Sequence, residues 1–332
     1  MTRRPVVPPP LISVVAPVYN EAAILPTFVT EIEQALTALS PKIIWEIVLV
    51  DDGSTDGTEE LLDELASKST GSLKIIHLCR NFGHGPAISA GLDNARGAAV
   101  ILMDSDLQDD PAAFRAFLEN WLDGYDAVYA IRTSRRESLP VRMAIAGFYR
   151  LVQAISDITI PRNAGTFSLM DRRLVDVLRS MPERNRFLPG LRAWAGFRQT
   201  GVPVSRRARH DRRSRVGLRG LWRLSMNAVF SFSYFPIFIF RALGGLALLC
   251  CFALAIFVLY QKLRSGNPLS ALTSQMFTIL LFSGINLVGI GVIGEYVARI
   301  YDELKARPGY IINRIKEAAP AVDTPDHTPT PP

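Results

Sequence analysis

The first 132 residues alternate between short apolar runs and longer segments with helical spacing of apolar positions. Five of the runs are rich in β-branched residues and stop at turn-forming or charged residues, which is typical of buried strands. Strands that alternate with helices favour parallel pairing, so the pattern predicts a doubly wound α/β domain with a mostly parallel sheet. The predicted strands are 12–16, 45–50, 73–78, 98–103 and 127–131, and residues 160–170 can bring a further segment back towards the sheet.

Polar side chains follow each predicted strand at the point where the strand ends. Ligands of open α/β sheets bind at the carboxyl ends of the strands, so these residues predict one site at one edge of the sheet. Ordinary polar loops are the alternative, but a polar or charged group after every one of the five apolar strands favours a site. The residues are Tyr19, Glu21, Asp51, Asp52, Arg80, Asn81, Asp104, Asp106 and Arg132.

The fourth strand runs into an acidic loop that contains Asp104, Asp106 and Gln108. Two carboxylates two positions apart at a strand end can converge on one cation, and such hard oxygen ligands favour Mg²⁺ or Mn²⁺. Mg²⁺ commonly binds through one or two carboxylates together with substrate phosphates. A solvated, Asp-rich turn is the competing interpretation. The G-x-G-x-x-G and Walker lysine motifs are absent, which weakens the dehydrogenase and P-loop alternatives.

Two long apolar segments, 242–260 and 271–297, are separated by a short polar loop. About 20 residues span a bilayer, so the pair predicts a transmembrane hairpin over 241–299. Residues 218–240 predict interfacial helices that precede it. Basic residues are more numerous on the two flanks than in the loop. We therefore expect a multi-pass protein of the cell (inner) membrane whose domain 11–217 is cytoplasmic.

The formal charge of +6 and the pI of about 9.4 predict anionic partners such as nucleotides or a phospholipid surface. We expect no nucleic-acid partner, because the basic residues cluster beside the apolar segments and no nucleic-acid motif occurs. The three cysteines lack C-x-x-C spacing, which argues against a disulfide scaffold or zinc site. Residues 1–10 predict a disordered leader rather than a signal peptide, and 300–332 a cytoplasmic tail with a disordered end.

Several motifs identify a family as a set. PVYNE (17–21), VDDGSTDGT (50–58), RNFGHGPAISAGLD (80–93) and DSDLQD (104–109) resemble the family 2 glycosyltransferases. FYRL (148–151), NAGTFSLMDRR (163–173), RFLPGL (186–191) and the predicted hairpin are similar to the polyprenyl-phosphate glycosyltransferases. That group contains dolichol-phosphate mannose synthase and the bacterial undecaprenyl-phosphate glucosyl- and aminoarabinosyltransferases. The resemblance covers roughly residues 11 to 316.

The resemblance implies a GT-A catalytic domain over 11–217. It implies that Asp104, Asp106 and Gln108 hold Mg²⁺ or Mn²⁺ on the donor diphosphate, and that the catalytic residues are Asp106, Arg132 and Arg142. The family's R-x-x-G-x-S-K segment corresponds to residues 209–215, where arginines replace the glycine and the lysine. The donor-binding residues it implies are Pro17, Tyr19, Glu21, Asp51, Asp52, Asn81, Asp104, Arg209, Ser214 and Arg215.

The expected reaction moves a sugar from a nucleotide-diphosphate sugar, with a UDP-sugar favoured, to a polyprenyl phosphate with inversion at the anomeric centre. A GDP-mannose-dependent synthase and a non-catalytic sugar-nucleotide-binding membrane subunit remain open. A processive polysaccharide synthase is less favoured because its Q-x-x-R-W motif is absent. The expected partners are the nucleotide sugar, the polyprenyl phosphate, the lipid bilayer and further copies of the chain in a homo-oligomer.

Overall fold

The structure is a computed structural model, and it describes residues 9–69, 72–132, 164–181, 183, 186–204, 235–265 and 271–317. The chain divides into two compact units. The first comprises Met1–Ala146, Ile158–Arg215 and Pro308–Pro332, and the second comprises Gly147–Asp157 and Val216–Arg307.

An eight-stranded sheet forms the centre of the first unit, with the strand order β7-β5-β6-β4-β1-β2-β3-β8. All five predicted strands are confirmed to within a residue or two at their ends. The predicted return of 160–170 to the sheet is confirmed as β6. The strands are β1 Leu11–Val18, β2 Ile44–Asp51, β3 Leu73–Leu78, β4 Ala99–Leu102, β5 Ala127–Arg132, β6 Ala164–Asp171, β7 Gln199–Val204 and β8 Ile312–Glu317.

Four of the strand pairings are parallel, namely β1 with β2, β1 with β4, β2 with β3, and β5 with β7. The mostly parallel α/β fold is therefore confirmed. Among the described residues, six helices belong to the same unit, and most of them connect successive strands, as the alternating pattern predicts. They are α1 Leu25–Thr37, α2 Thr58–Lys68, α3 His84–Asn94, α4 Ala113–Leu122, α5 Arg172–Ser180 and α6 Leu188–Trp194.

Parallel pairing does not extend through the whole sheet, because β6 lies antiparallel between β4 and β5. Ile131, near the end of β5, pairs with Ala164 at the start of β6. The chain therefore re-enters the sheet at the edge where β5 ends, and a strand that starts at that edge must run in the opposite direction. The alternation of strands and helices favours parallel pairing, so it could not predict the direction of this strand.

The hydrophobic core lies between the sheet and the helices α1 and α4. Helix α1 buries Phe28 and Ile32 on its inner face, and α4 buries Phe114 and Phe117. The Phe117 ring packs against Phe167 of β6 with 4.9 Å between the ring centroids. Each such aromatic side chain contributes about 1.5–3 kcal/mol through burial. This core fixes the sheet from which the strand-end loops project.

The C-terminal segment forms strand β8, which pairs antiparallel with β3 at the edge of the sheet. This strand lies within 300–332, which the sequence predicts to be only a tail. The described part of that segment begins with the end of a helix that stops at Leu304 and continues into β8. Alternation is weak in INRIKE, whose side chains are mostly exposed, so the pairing with β3 decides its conformation.

The second unit contains two long helices, α7 Phe235–Ser265 and α8 Ala271–Leu304. They approach each other closely at Gly289, where an added Cβ would lie 1.9 Å from Cζ of Phe240. Among the described residues one helical stretch, Leu281–Leu304, is long and apolar enough to cross a membrane, and Ala242–Ala253 is a shorter apolar stretch. The two-span hairpin therefore stays a prediction. The interfacial segment 218–240 lies outside the described residues up to 234, and its last six residues begin α7.

Candidate active site

The loops after β1 and β2 lie side by side at the carboxyl edge of the sheet and are joined by hydrogen bonds. The backbone N–H of Asn20 donates to Oγ of Ser54 at 3.0 Å, and the N–H of Thr55 donates to Oδ1 of Asn20 at 2.8 Å. The N–H of Glu21 donates to Oγ1 of Thr58 at 3.1 Å. The predicted donor-binding residues of these two loops are therefore held in one rigid surface. Tyr19 lies on it with 36% of its surface exposed.

The loop after β3 is fixed to the loop after β2 by Gly53 and Asp52. Gly53 has a φ of +68°, and a Cβ at this position would lie 2.5 Å from the carbonyl carbon of Arg80. Oδ1 of Asp52 accepts the N–H of Phe82 at 2.7 Å, and Oδ2 accepts the N–H of Gly83 at 2.9 Å. Burial raises the pKa of Asp52, while these two N–H groups act in the opposite direction. Asp52 thus holds a loop in place, a role that its predicted assignment to the donor did not include.

Asp51, the first predicted carboxylate after β2, is buried and fully engaged. Its Oδ1 accepts the N–H of Ser54 at 3.0 Å, and its Oδ2 lies 3.1 Å from Nδ1 of His77. Burial alone would raise the pKa of Asp51, but the hydrogen bonds from His77 and Ser54 outweigh it and lower the pKa. Asp51 is consequently an ionised acceptor whose orientation is fixed by His77 and Ser54.

The acidic loop after β4 is joined to the β1 loop by Ser105. Oγ of Ser105 lies 2.8 Å from the carbonyl oxygen of Pro17 and also hydrogen-bonds with Oε2 of Glu21. Within the loop, Oδ1 of Asp106 accepts the N–H of Gln108 at 3.2 Å. The structure therefore brings five predicted residues of two loops into neighbouring positions: Pro17, Glu21, Asp104, Asp106 and Gln108.

Asp104 has a buried oxygen, Oδ1, that has no hydrogen-bond partner among the residues that the structure describes. Nε2 of His84 lies 3.6 Å from the same oxygen. An unsatisfied buried acceptor costs about 1–3 kcal/mol, and a bound cation would remove that cost. No group of three or more His, Cys, Asp or Glu side chains suited to a metal occurs within the part of the chain that the structure describes. Two carboxylates completed by donor phosphates match the usual coordination of Mg²⁺, so the residues fit this cofactor.

The other predicted site residues divide into three cases. Arg132 is the last residue of β5, which runs in the same direction as β4, so it lies at the carboxyl edge. Asn81 lies in the β3 loop and is exposed. The remaining four lie outside the described residues: Arg142, Arg209, Ser214 and Arg215.

Two charged residues that the sequence analysis did not select are buried in the first unit. His77 is buried in the core and contacts Asp51 directly. Arg192 of α6 is 1% exposed, and its guanidinium lies 4.8 Å from the centroid of the Tyr129 ring. Within the described part of the chain the guanidinium has no hydrogen-bond partner. Burial lowers the pKa of Arg192 to about 10. No local pattern marks either residue, because strand register brings His77 beside Asp51 and helix packing buries Arg192.

A cavity of about 590 Å³ lies at the opposite edge of the sheet, between the end of α1 and α4. Its lining includes Leu39, Ile43, Leu118 and Trp121. Those residues lie beside the amino end of β2, whereas ligands of open α/β sheets bind at the carboxyl ends. The strand-end loops therefore remain the candidate active site.

The chain is similar to known glycosyltransferases over most of its length. Residues 13–179 match the family described as Glycosyl transferase family 2. An uncharacterized glycosyltransferase of Synechocystis sp. is 40% identical over 304 residues, which is 91% of this chain and 94% of that protein. A prophage-derived bactoprenol glucosyl transferase of Shigella flexneri is 37% identical over 310 residues, which is 93% of this chain and 99% of that protein.

Among solved structures, a mannosyltransferase from Pyrobaculum calidifontis in complex with GDP-Man and Mn²⁺ superposes with a TM-score of 0.44 and 20% identity. The superposition covers 66% of this chain and 61% of that one.

The extent and identity of these matches define the class: the chain belongs to glycosyl transferase family 2, and it is a glycosyltransferase. The resemblance to the polyprenyl-phosphate glycosyltransferase group is confirmed as well, since bactoprenol is a polyprenol and the match to its glucosyl transferase spans nearly the whole chain.

Proposed function

We propose that this protein is a membrane-bound, inverting glycosyltransferase that moves a sugar from a nucleotide-diphosphate sugar to a polyprenyl phosphate at the cytoplasmic face. A UDP-sugar is the favoured donor, and GDP-mannose is the second candidate. The observation that carries the proposal is the pair Asp104 and Asp106, placed where four parallel strands end and beside Glu21 and Ser105.

A divalent cation, Mg²⁺ or Mn²⁺, bound by Asp104, Asp106 and Gln108 would neutralise the negative charge of the leaving diphosphate. The residues of the chain then bind and orient the donor. Asp51 is positioned to accept an N–H group from the base, and the surface that carries Tyr19 lies next to it.

A phosphate acceptor would remove the need for a general base. A phosphate monoester has a second pKa near ~6, so at pH 7 it is mostly a dianion and needs no general base. Family members often carry acids where this chain has Asn163 and Thr166, and Thr166 belongs to β6 beside the acidic strand end. Catalysis then depends on positioning and on cations such as Arg132.

The helices of the second unit support a lipid environment. Leu248 and Phe252 of α7 are 67% and 70% exposed, and Leu287 and Ile290 of α8 are 69% and 66% exposed. Contiguous exposed apolar side chains of this size are unfavourable in water and favourable against lipid acyl chains. This supports the predicted hairpin, with spans near 242–260 and 271–297.

The test is sugar transfer into lipid. Membranes that contain the full-length protein are incubated with undecaprenyl phosphate, Mg²⁺ or Mn²⁺ and a panel of labelled UDP- and GDP-sugars, and the lipid is extracted. We expect label in the lipid fraction from one donor, and a loss of about 10²–10³-fold in the Asp106→Asn variant, since one charge-stabilising group is removed.

Asp123→Asn is the matched control, because Asp123 is an exposed carboxylate after α4 and away from the strand-end loops. It should keep wild-type transfer. Folded wild-type protein that labels no lipid with any donor and either metal would refute the proposed function.

A further inference from the structure

A single row of side chains crosses three strands beneath the donor loops. Asp51 is the register partner of His77 in the parallel pair β2–β3, and His77 is the partner of Arg314 in the antiparallel pair β3–β8. Side chains in one row of a sheet lie on the same face. The C-terminal strand is therefore in register with the predicted base-binding carboxylate.

Asp63 of α2 covers this row and completes a chain of polar contacts. Oδ2 of Asp51 lies 3.1 Å from Nδ1 of His77, and Nε2 of His77 lies 3.2 Å from Oδ1 of Asp63. Oδ2 of Asp63 then lies 2.7 Å from Nη2 of Arg314. Lys316 of β8 adds a hydrogen bond from Nζ to the carbonyl oxygen of Asp63 at 2.9 Å. Four links thus connect β8 to the donor loops.

His77 can satisfy both contacts only in its protonated form. A neutral imidazole has one donor and one acceptor, whereas both ring nitrogens of His77 face carboxylate oxygens, which accept only when ionised. The ring is 1% exposed. Burial and Arg314 act to lower the pKa of His77, but the hydrogen bonds to Asp51 and Asp63 outweigh them and raise it. The sign of the charge therefore alternates along the contacts, from positive Arg314 to negative Asp63, positive His77 and negative Asp51.

We propose that Arg314, Asp63 and His77 are positioning residues that fix the carboxylate of Asp51 for recognition of the donor base. The proposal rests on the function proposed above. Arg314 orients Asp63, which holds the His77 ring in the plane that directs Nδ1 to Asp51. Without Arg314 the Asp63 carboxylate loses the cation at 2.7 Å, the ring loses its fixed orientation, and Asp51 keeps only its hydrogen bonds with Ser54.

The consequence is specific to donor binding. None of the three residues lies in the acidic loop. A substitution that breaks the polar contacts between Arg314 and Asp51 therefore leaves the surroundings of the reacting atoms unchanged. We expect Arg314→Ala and Asp63→Asn to raise the KM for the donor by about three- to tenfold, with kcat changed by less than about twofold. Arg314→Lys, which keeps a cation, should recover part of the lost affinity.

Glu317→Ala is a matched control on the same strand. Glu317 is 43% exposed against 46% for Arg314, and each makes two ion pairs, Glu317 with Lys74 and Arg96 and Arg314 with Asp63 and Glu59. Its removal weakens the attachment of β8 to a similar extent without touching the chain to Asp51. The donor KM of this variant should equal that of the wild type.

The pH profile of the donor KM gives a readout that a purely structural role would not change. The donor KM of the wild type should rise as His77 loses its proton, with a midpoint above pH 6.5, and Asp51, Asp63, Arg314 and Lys316 are the charged groups that face the ring. Arg314→Ala releases the ring from the hydrogen bonds that raise the pKa of His77, and these outweigh the opposing charge of Arg314, so the midpoint should move to lower pH in this variant.

The measurement uses full-length protein, undecaprenyl phosphate and the donor that gives transfer in the panel, with the unfolding temperature of each variant as a check on folding. If the wild type transfers sugar but Arg314→Ala and Glu317→Ala have the same donor KM and pH midpoint, the positioning role is refuted and the proposed function still stands. Wild-type protein that transfers no sugar and binds neither UDP nor GDP would refute the proposed function and this role with it.

Discussion

Gly53 offers a sharp test of how the donor loops are held together, through replacement by alanine. Two separate features of this position favour glycine: its φ of +68° and its contact with the Arg80–Asn81 backbone. Gly57, four residues later, has a φ of +85° but an open surrounding, since the nearest atom to an added Cβ is Oε2 of Glu60 at 4.0 Å. Gly57→Ala therefore shares the backbone strain and lacks the steric clash.

The magnitudes follow from these two terms. A left-handed conformation costs an alanine about 1–2 kcal/mol in either variant. At Gly53 the added methyl group would lie 2.5 Å from C of Arg80 and 2.6 Å from N of Asn81, and neither backbone atom can rotate away. Overpacking of this kind costs about 1–3 kcal/mol more. The gain from lower entropy of the unfolded chain is common to both variants and cancels.

The assay is thermal unfolding of the full-length protein, followed by tryptophan fluorescence, to which Trp45, Trp121 and Trp194 of the first unit contribute. Gly53→Ala should unfold about 2–12 °C below Gly57→Ala, because 1 kcal/mol corresponds to ~2–4 °C in a unit of this size. The donor KM should also rise in Gly53→Ala, since the displaced loop carries Asp52 and adjoins Asp51. Equal unfolding temperatures of the two variants would refute the inferred packing of these loops.

Two further predictions concern the helix pair and the buried histidine. Gly289→Leu should separate α7 from α8 and lower the unfolding temperature, because Phe240 fills the space beside Gly289. Gly291→Leu should not lower it, since no atom lies within 4 Å of an added Cβ there. Equal effects of the two variants would contradict the close approach of the helices at Gly289. The raised pKa of His77 adds stability that is complete below pH 6.5 and lost as the pH rises through the folded-state pKa. The unfolding temperature of His77→Gln should thus lie furthest below that of the wild type near pH 6, and a gap that widens between pH 6 and 9 would refute this sign.

Much of the site could be predicted from the sequence, because its residues follow directly after apolar runs. A buried strand needs an unbroken apolar segment, and the abrupt change to Asp51 or Asp104 marks its end. Since parallel strands end at one edge, local patterns were enough to predict that these loops meet. The resemblance added the donor and acceptor classes, which no spacing could supply.

The interactions within the site required the tertiary structure. The sequence does not distinguish the adjacent carboxylates Asp51 and Asp52. In the structure, Asp52 holds the backbone of the next loop and Asp51 faces His77. Which role each takes depends on the direction of its side chain, and that direction follows from the end of strand β2 and the packing of Gly53. A one-residue shift in register would exchange the two faces.

The sequence by itself determined the α/β class, the five strands and the acidic loop, because each depends on contiguous residues whose burial or charge is visible in order. Only the tertiary structure decided that β6 enters between β4 and β5, that the segment after α8 returns as β8, and that Arg314 lies in register with His77 and Asp51. These contacts join residues far apart in the chain, and their pairing depends on sheet register and edge availability, which no local pattern encodes.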